Sequence, residues 1–269
     1  MAHPQIAAFA RLADGSAKPT RLIAGQKTLL GRTMHAIVYD AIHDEFVVPQ
    51  PFGQAILTFR GDAEGEEPPI RVIQGLRTRL RAPDRLEVDP VNNEILVPQQ
   101  DSVLVFPREA SGNVAPLREL KGPDTQMGSS AVAVDPVHDL LIVAGRKGGN
   151  NTTLKIFGRT DEGNVKPRAV IGGPNTGLTT NALIRVFPPR GEILAVNRGV
   201  YGEQASSGVF VGVWSVEDDG DVPPRWTIGG PNGMLRQPRG MALDPKNKSV
   251  IISDKYLNAI LTYYFPEIF

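Results

Sequence analysis

Few side chains in this sequence could carry covalent chemistry. Its histidines are His3, His35, His43 and His138, and it has no cysteine. Thiol catalysis, disulfides and cysteine–metal centres are therefore excluded. A zinc site built on histidine needs several of them together, and the four are scattered. His43 and His138 recur in the similar stretches "AIHD" and "PVHD", where a structural role in a turn accounts for both. No G-x-S-x-G elbow is present, so the strand–turn–helix device of serine hydrolases is missing. The run "GRKGGNN" (145–151) lacks the G-x-x-x-x-G-K-[ST] order of a phosphate loop. What remains is a set that could bind rather than react. It comprises His35, Gln50, Asp84, Glu87, Gln99, Arg146, Arg185, Asn197, Arg198, Tyr201, Arg239, Asp254 and Lys255. The reason for choosing these residues lies in a repeat that would bring them to one face.

Five stretches share one phrase: "ADGSAKPTRLIAG" (13–25), "AEGEEPPIRVIQG" (63–75), "ASGNVAPLRELKG" (110–122), "DEGNVKPRAVIGG" (161–173) and "DDGDVPPRWTIGG" (218–230). The shared glycines are Gly15, Gly65, Gly112, Gly163 and Gly220, at spacings of 50, 47, 51 and 57. Pro19, Pro69, Pro116, Pro167 and Pro224 keep the same spacings, and Phe9, Phe59, Phe106, Phe157 and Trp214 each precede the glycine by six. Between these landmarks lie short runs rich in Val, Ile, Leu and Phe, bounded by turn residues, which are strand signals. "AIVYD", "EFVVP", "AILTFR" and "IRVIQG" predict four strands within residues 36–75. The phrase itself predicts the hairpin from strand three to strand four. Its glycine takes a positive φ at the reversal, and its proline precedes a strand whose first N–H is not needed.

Four-stranded units of this length, repeated without helical periodicity, predict an all-β β-propeller. The repeats fall near 35–75, 84–122, 130–173, 181–230 and 239–269, and the whole of 1–269 is expected to be one domain. Strand three occurs six times and the other strands five times. Five blades are expected, with six as the alternative, and the N- and C-terminal strands are expected to pair in one closing blade. The surplus third strand is available for edge pairing between copies, which makes an oligomerising scaffold one reading.

The stretch "RGMALDPKNKSVIISDKYLNAILTYYF" (239–265), and more loosely "DRLEVDPVNNEILVPQQDSVLVF" (84–106), resembles the NHL-repeat propellers. That resemblance implies a binding face where the loops after strands two and four converge on a central channel. At the end of strand two the equivalent residues are Gln50, Gln99, Gly145, Asn197 and Asp254, followed by Pro51, Gln100, Arg146, Arg198 and Lys255. At the start of strand one they are His35, Asp84, Ser130, Ala182 and Arg239. Alternation along strand one predicts that Ile37 and Tyr39, with their equivalents, face neighbouring sheets. It turns Val38, Glu87, Ala133, Arg185 and Ala242 to the channel. Glu87 and Arg185 there suit a zwitterionic or carboxylate ligand, or a structural ion pair. The longer loops near 144–154 and 196–209, the second carrying Tyr201, rise on the same face and are candidates for specificity.

Propeller relatives of the gluconolactonase type hold a divalent metal with Glu, Asn and Asp. The resemblance thus raises a metal-dependent hydrolase or lyase as an alternative, with Ca²⁺ or Mg²⁺ held by oxygens of Glu87, Asp84, Asn181, Asn197 or Asp254. Arg185, Arg198 and Arg239 in the same region oppose a cation. The recurring acids Asp89, Asp135 and Asp244 suit side-chain bonds to a turn. No cofactor is expected under the first reading, a non-enzymatic propeller binding a protein, peptide or small ligand. Lys+Arg and Asp+Glu are both 29, so no overall field draws a nucleic acid. No apolar run reaches membrane-spanning length and no secretory leader is visible. A soluble protein is expected.

Overall fold

The computed structural model describes residues 4–146, 151–199 and 208–269. Among them the regular elements are strands and three-residue 3-10 turns, with no α-helix. The chain forms two compact units, Met1–Ile95 with Phe106–Leu117, and Leu96–Val105 with Arg118–Phe269.

β1 (Gln5–Ala8) and β2 (Arg21–Ala24) form a two-stranded sheet. Four antiparallel meanders of four strands follow in chain order. They are β3 (Val38–Asp40), β4 (Glu45–Gln50), β5 (Ala55–Arg60) and β6 (Arg71–Gln74); then β7 (Glu87–Asp89), β8 (Glu94–Gln99), β9 (Ser102–Pro107) and β10 (Arg118–Lys121). The next are β11 (Ser129–Asp135), β12 (Leu140–Gly145), β13 (Thr153–Gly158) and β14 (Ala169–Ile171); then β15 (Asn181–Phe187), β16 (Glu192–Arg198), β17 (Val209–Ser215) and β18 (Trp226–Gly229). A fifth blade has three strands, β19 (Pro238–Asp244), β20 (Ser249–Asp254) and β21 (Ala259–Tyr264). The fold is a β-propeller type with five blades.

The second strand of each of the first four blades is buried over most of its length on both faces and rich in apolar residues. Ile95–Leu96–Val97 and Ile193–Leu194–Ala195–Val196 are fully buried. In the second unit, Val132 and Val143 pack with Leu96, Val103 and Leu120 on one side of the third blade. Ala131, Ala133, Ile142 and Ala144 pack with Ile184, Ile193 and Trp214 on the other. Ala133 therefore does not face a channel, as alternation had suggested. Blades stack face on face, so both registers of the inner strand are contact surfaces. In the first unit Ile37 and Tyr39, expected to be covered, are 48% and 58% exposed. The two-stranded β1–β2 sheet supplies counterparts of strands three and four only.

The expected closing blade is also replaced by another arrangement. β2 pairs with β1 in register Gln5↔Ala24 to Ala8↔Arg21, and β19–β20–β21 is a sheet of its own. A hairpin partner a short loop away costs less closure entropy than a distant strand.

The repeated phrase has a second task beyond turning the chain. Gly65 donates its N–H to the Leu22 carbonyl (2.8 Å) and accepts from Ala24 N–H (2.9 Å), bridging to the preceding sheet. Gly112 does the same with Val72 and Gln74, Gly163 with Glu119 and Lys121, and Gly220 with Val170 and Gly172. The side chain after each glycine then caps the 3-10 turn that follows the docked strand. Glu66, Asn113, Asn164 and Asp221 accept the N–H of Lys27, Arg77, Asp124 and Asn175, at 3.3, 2.7, 2.8 and 2.8 Å. The turns themselves are closed by Thr28, Thr78, Thr125 and Thr176, whose hydroxyls donate to the carbonyls of Gly25, Gly75, Gly122 and Gly173.

Candidate functional site: the loop ends of the blades

Strand one opens with a β-bulge in the last three blades. The register shifts between Ser129 and Ala131, between Asn181 and Ile184, and between Pro238 and Gly240. A bulge frees a residue from the ladder and re-aims its side chain. The skipped positions include Ser130 and Arg239, which repeat spacing had placed at the start of strand one. Their first-unit equivalents, His35 and Asp84, precede the shorter β3 and β7. They lie within one unit and pair directly, His35 Nδ1 to Asp84 Oδ1, with both side chains about half exposed.

The residues ending strand two prove to be latches. Asn197 is fully buried. Its Oδ1 accepts from the backbone N–H of Thr179 (3.0 Å) and Thr180 (3.1 Å), and its Nδ2 donates to the Gly177 (3.1 Å) and Gly208 (2.7 Å) carbonyls. Asp254, also buried, accepts Arg236 (2.7 Å) and Gln237 (2.9 Å) N–H on one oxygen, and Tyr256 (3.0 Å) and Leu257 (3.1 Å) on the other. Gln50 Oε1 accepts Gly53 N–H at 2.5 Å. Gln99 is buried and its carbonyl accepts the Ser129 hydroxyl. At Gly145 a side chain is impossible, since a Cβ would fall on the Gly128 carbonyl. Asn197 and Asp254 thus tie the loop after strand two to the loop that opens strand one, and their polar atoms serve backbone groups.

In the last three blades the residue after the end of strand two is a cation, whereas Pro51 and Gln100 stand there in the first two. Arg146, Arg198 and Lys255 occupy this place in three successive blades of the second unit. Arg198 and Lys255 are held by equivalent bonds, from Arg198 N–H to Thr180 (2.9 Å) and from Lys255 N–H to Gln237 (3.0 Å). Arg239 stands on the bulge. Arg236, which spacing did not single out, braces the same loop by donating from Nη1 to the Gly233 (2.7 Å) and Leu235 (3.0 Å) carbonyls. A cation falling close to Asp254 in the loop was its only sequence signal. Arg185 is half-buried on the fourth blade, its Nη1 donating to the Ile184 carbonyl at 3.2 Å. Glu87, in the first unit, is buried and accepts Val88 N–H at 3.1 Å. Tyr201 lies outside the described residues, as do 147–150 and the rest of 200–207 in the two long loops.

Asp40, Asp89, Asp135 and Asp244 hold the turns between strands one and two. Asp135 accepts Val137 and His138 N–H, both at 3.0 Å, and pairs with His138 Nδ1 at 2.8 Å. Asp40 and His43 repeat the arrangement. Among the described residues no three His, Asp or Glu side chains stand together as a metal-binding group, and the Asn197 and Asp254 oxygens considered for Ca²⁺ or Mg²⁺ already serve backbone donors. No helix of the described residues is long and apolar enough to cross a membrane.

These blades define a β-propeller-type protein, and a solved structure agrees. The chain is similar to Kuenenia stuttgartiensis hydrazine synthase, with a TM-score of 0.62 over 91% of this chain and 67% of that chain. Sequence identity is 16%, so the likeness shows the fold alone. No protein-family model and no curated protein matches the sequence.

Proposed function

We propose that this protein is a non-enzymatic binding propeller that engages an acidic peptide segment through the loop ends of its second unit. The observation that carries this reading is the cation after the strand-two latch in three successive blades, Arg146, Arg198 and Lys255, joined by Arg239 on its bulge. Arginine guanidinium offers paired donors that match a carboxylate, and backbone bonds at Arg198 and Lys255 reduce the ordering cost of binding. With Lys+Arg and Asp+Glu equal at 29, no net field of the whole molecule supplies the attraction, which falls to these loop-end positions. The NHL-like pattern of residues 239–265 supports the same reading, since such blades serve as scaffolds for interaction.

Fluorescence anisotropy with a labelled glutamate-rich peptide tests it. Binding is expected at low salt and should weaken as screening increases. Charge reversal at Arg146 and Lys255 together should weaken it by roughly tenfold or more, because rim charges act mainly on encounter. Absence of binding at low salt overturns the proposal. Equal binding of an oligonucleotide of matched charge reassigns the surface to nucleic acid.

A further inference from the structure

We propose that the two loops leading into β3 and β7, both in the first unit, form a docking surface for a phosphorylated peptide segment of a partner protein. These loops run from β2 to β3 and from β6 to β7 and follow the same course. Each starts in a 3-10 turn, Gln26–Thr28 or Leu76–Thr78, and leaves it through a left-handed residue, Leu29 at φ 57° or Arg79 at 58°. Each turns again at a second positive φ, Thr33 at 61° or Ala82 at 45°. Side chains from the two loop ends then meet, His35 Nδ1 on Asp84 Oδ1. A left-handed β-branched threonine is costly, and strain of this kind collects at functional sites.

Along this doubled course the charge is nearly all of one sign. Lys27 and Arg32 lie on the first loop and Arg77, Arg79 and Arg81 on the second, and all five are exposed. Arg32 and Arg81 stand directly before the two positive-φ residues. Asp84 is the one acid within 25–35 and 75–84, and it is bonded to His35. Glu66 reaches the first turn and accepts Lys27 N–H at 3.3 Å, whereas the neutral Asn113 accepts Arg77 N–H at 2.7 Å, so the cap beside Arg77 adds no negative charge. The second unit does not repeat this pattern. Its equivalent loops hold Asp124, no charged residue within 172–180, and Arg236 braced on backbone carbonyls.

Arg32, Arg79 and Arg81 are each already engaged by a neighbour. A guanidinium has five N–H donors and can hold that neighbour and a phosphate oxygen together. A phosphorylated side chain brings roughly two negative charges and three acceptor oxygens, and clustered arginines are a recurring means of recognising it. A free phosphate compound calls for a pocket that encloses it. These cations are instead exposed and stand beside open apolar side chains, Leu29 at 50% and Leu76 at 97%, and a peptide can cover both kinds. The surface belongs to the first unit, whereas Arg146, Arg198 and Lys255 belong to the second.

Fluorescence anisotropy tests it with a labelled phosphoserine peptide that carries leucine and no other charge, against the same peptide unphosphorylated. The phosphorylated form should bind at least about tenfold more tightly, as charge-assisted hydrogen bonds imply. Arg32→Gln with Arg81→Gln, both at exposed positions, should remove that difference with an unchanged far-ultraviolet spectrum. Should that variant fail to fold, Arg77→Gln with Leu76→Ala should weaken phosphopeptide binding instead. Charge reversal at Arg146 and Lys255 should leave the difference in place, which separates this surface from the acidic-peptide reading. Equal binding of the two peptide forms overturns the proposal, as does phosphopeptide binding that is lost on charge reversal at Arg146 and Lys255. Inorganic phosphate that displaces the phosphopeptide at equal concentration overturns the peptide as occupant, and a single-stranded oligonucleotide bound more tightly than the phosphopeptide does the same.

Discussion

Two strands of nearly identical sequence meet opposite fates in this molecule. β5 opens Ala55-Ile56-Leu57-Thr58-Phe59 and is buried on both faces, while β21 opens Ala259-Ile260-Leu261-Thr262-Tyr263 and alternates between half-buried and exposed. Ile56 has no exposed surface and Ile260 is 63% exposed. Propensity and pattern are the same, so the difference comes from the neighbour that lies over one strand and not the other. A blade is complete as a hydrogen-bonded sheet but not as a buried object; its second face is finished by another sheet.

This contrast sets the scale of several expected effects. Ile56→Ala should cost about 3 kcal/mol, since it removes transfer free energy and leaves a cavity. Ile260→Ala should cost less than about 0.5 kcal/mol at dilute protein, as for other exposed sites. Urea unfolding of the pair measures both, and equal losses would mean that β21 is covered after all. Next in size is Asp254→Ala, which strands four backbone N–H groups that one carboxylate now satisfies. A loss of about 2–3 kcal/mol is expected from hydrogen bonds to a charged acceptor, and amide exchange should rise at Arg236, Gln237, Tyr256 and Leu257. Thr125→Val, which removes the hydroxyl that accepts Met127 N–H and donates to Gly122, should cost about 1 kcal/mol.

The smallest effect concerns Glu192 at the start of β16, where one carboxylate oxygen is buried without a hydrogen-bond partner among the described residues. Burial, opposed by the charges of Arg225 and Arg190 and aided by Asp218, raises its pKa above the usual carboxylate value. The folded state therefore keeps this proton to higher pH than the unfolded chain does. Its contribution is complete below the unfolded pKa and is lost as pH rises through the raised one. Glu192→Gln should abolish that loss, so the variant should melt higher than wild type near neutral pH and the gap should close on acidification.

The blade repeat was legible because three landmarks, aromatic, glycine and proline, travel together along the chain, and the strands fall where they point. β5 matches "AILTFR" residue for residue. The 3-10 turns were also written there, as glycine and threonine at Gly75/Thr78, Gly122/Thr125 and Gly173/Thr176, but three residues of turn carry no periodicity to notice. At the candidate site, spacing correctly brought Asn197 and Asp254 to the loop ends, yet it could not distinguish a rim ligand from a latch. That distinction depends on which backbone donors the folded loops aim at the side chain.

What the linear order determined is the local repertoire: which runs become strands, where a positive-φ glycine turns them, and which positions recur from blade to blade. Those follow from short-range sterics and side-chain patterning. Only the tertiary structure decided which faces are covered and that β2 joins β1. Such outcomes depend on long-range partners, and the same tetrapeptide, Ala-Ile-Leu-Thr, is covered in one strand and open in another without changing a single residue of its own.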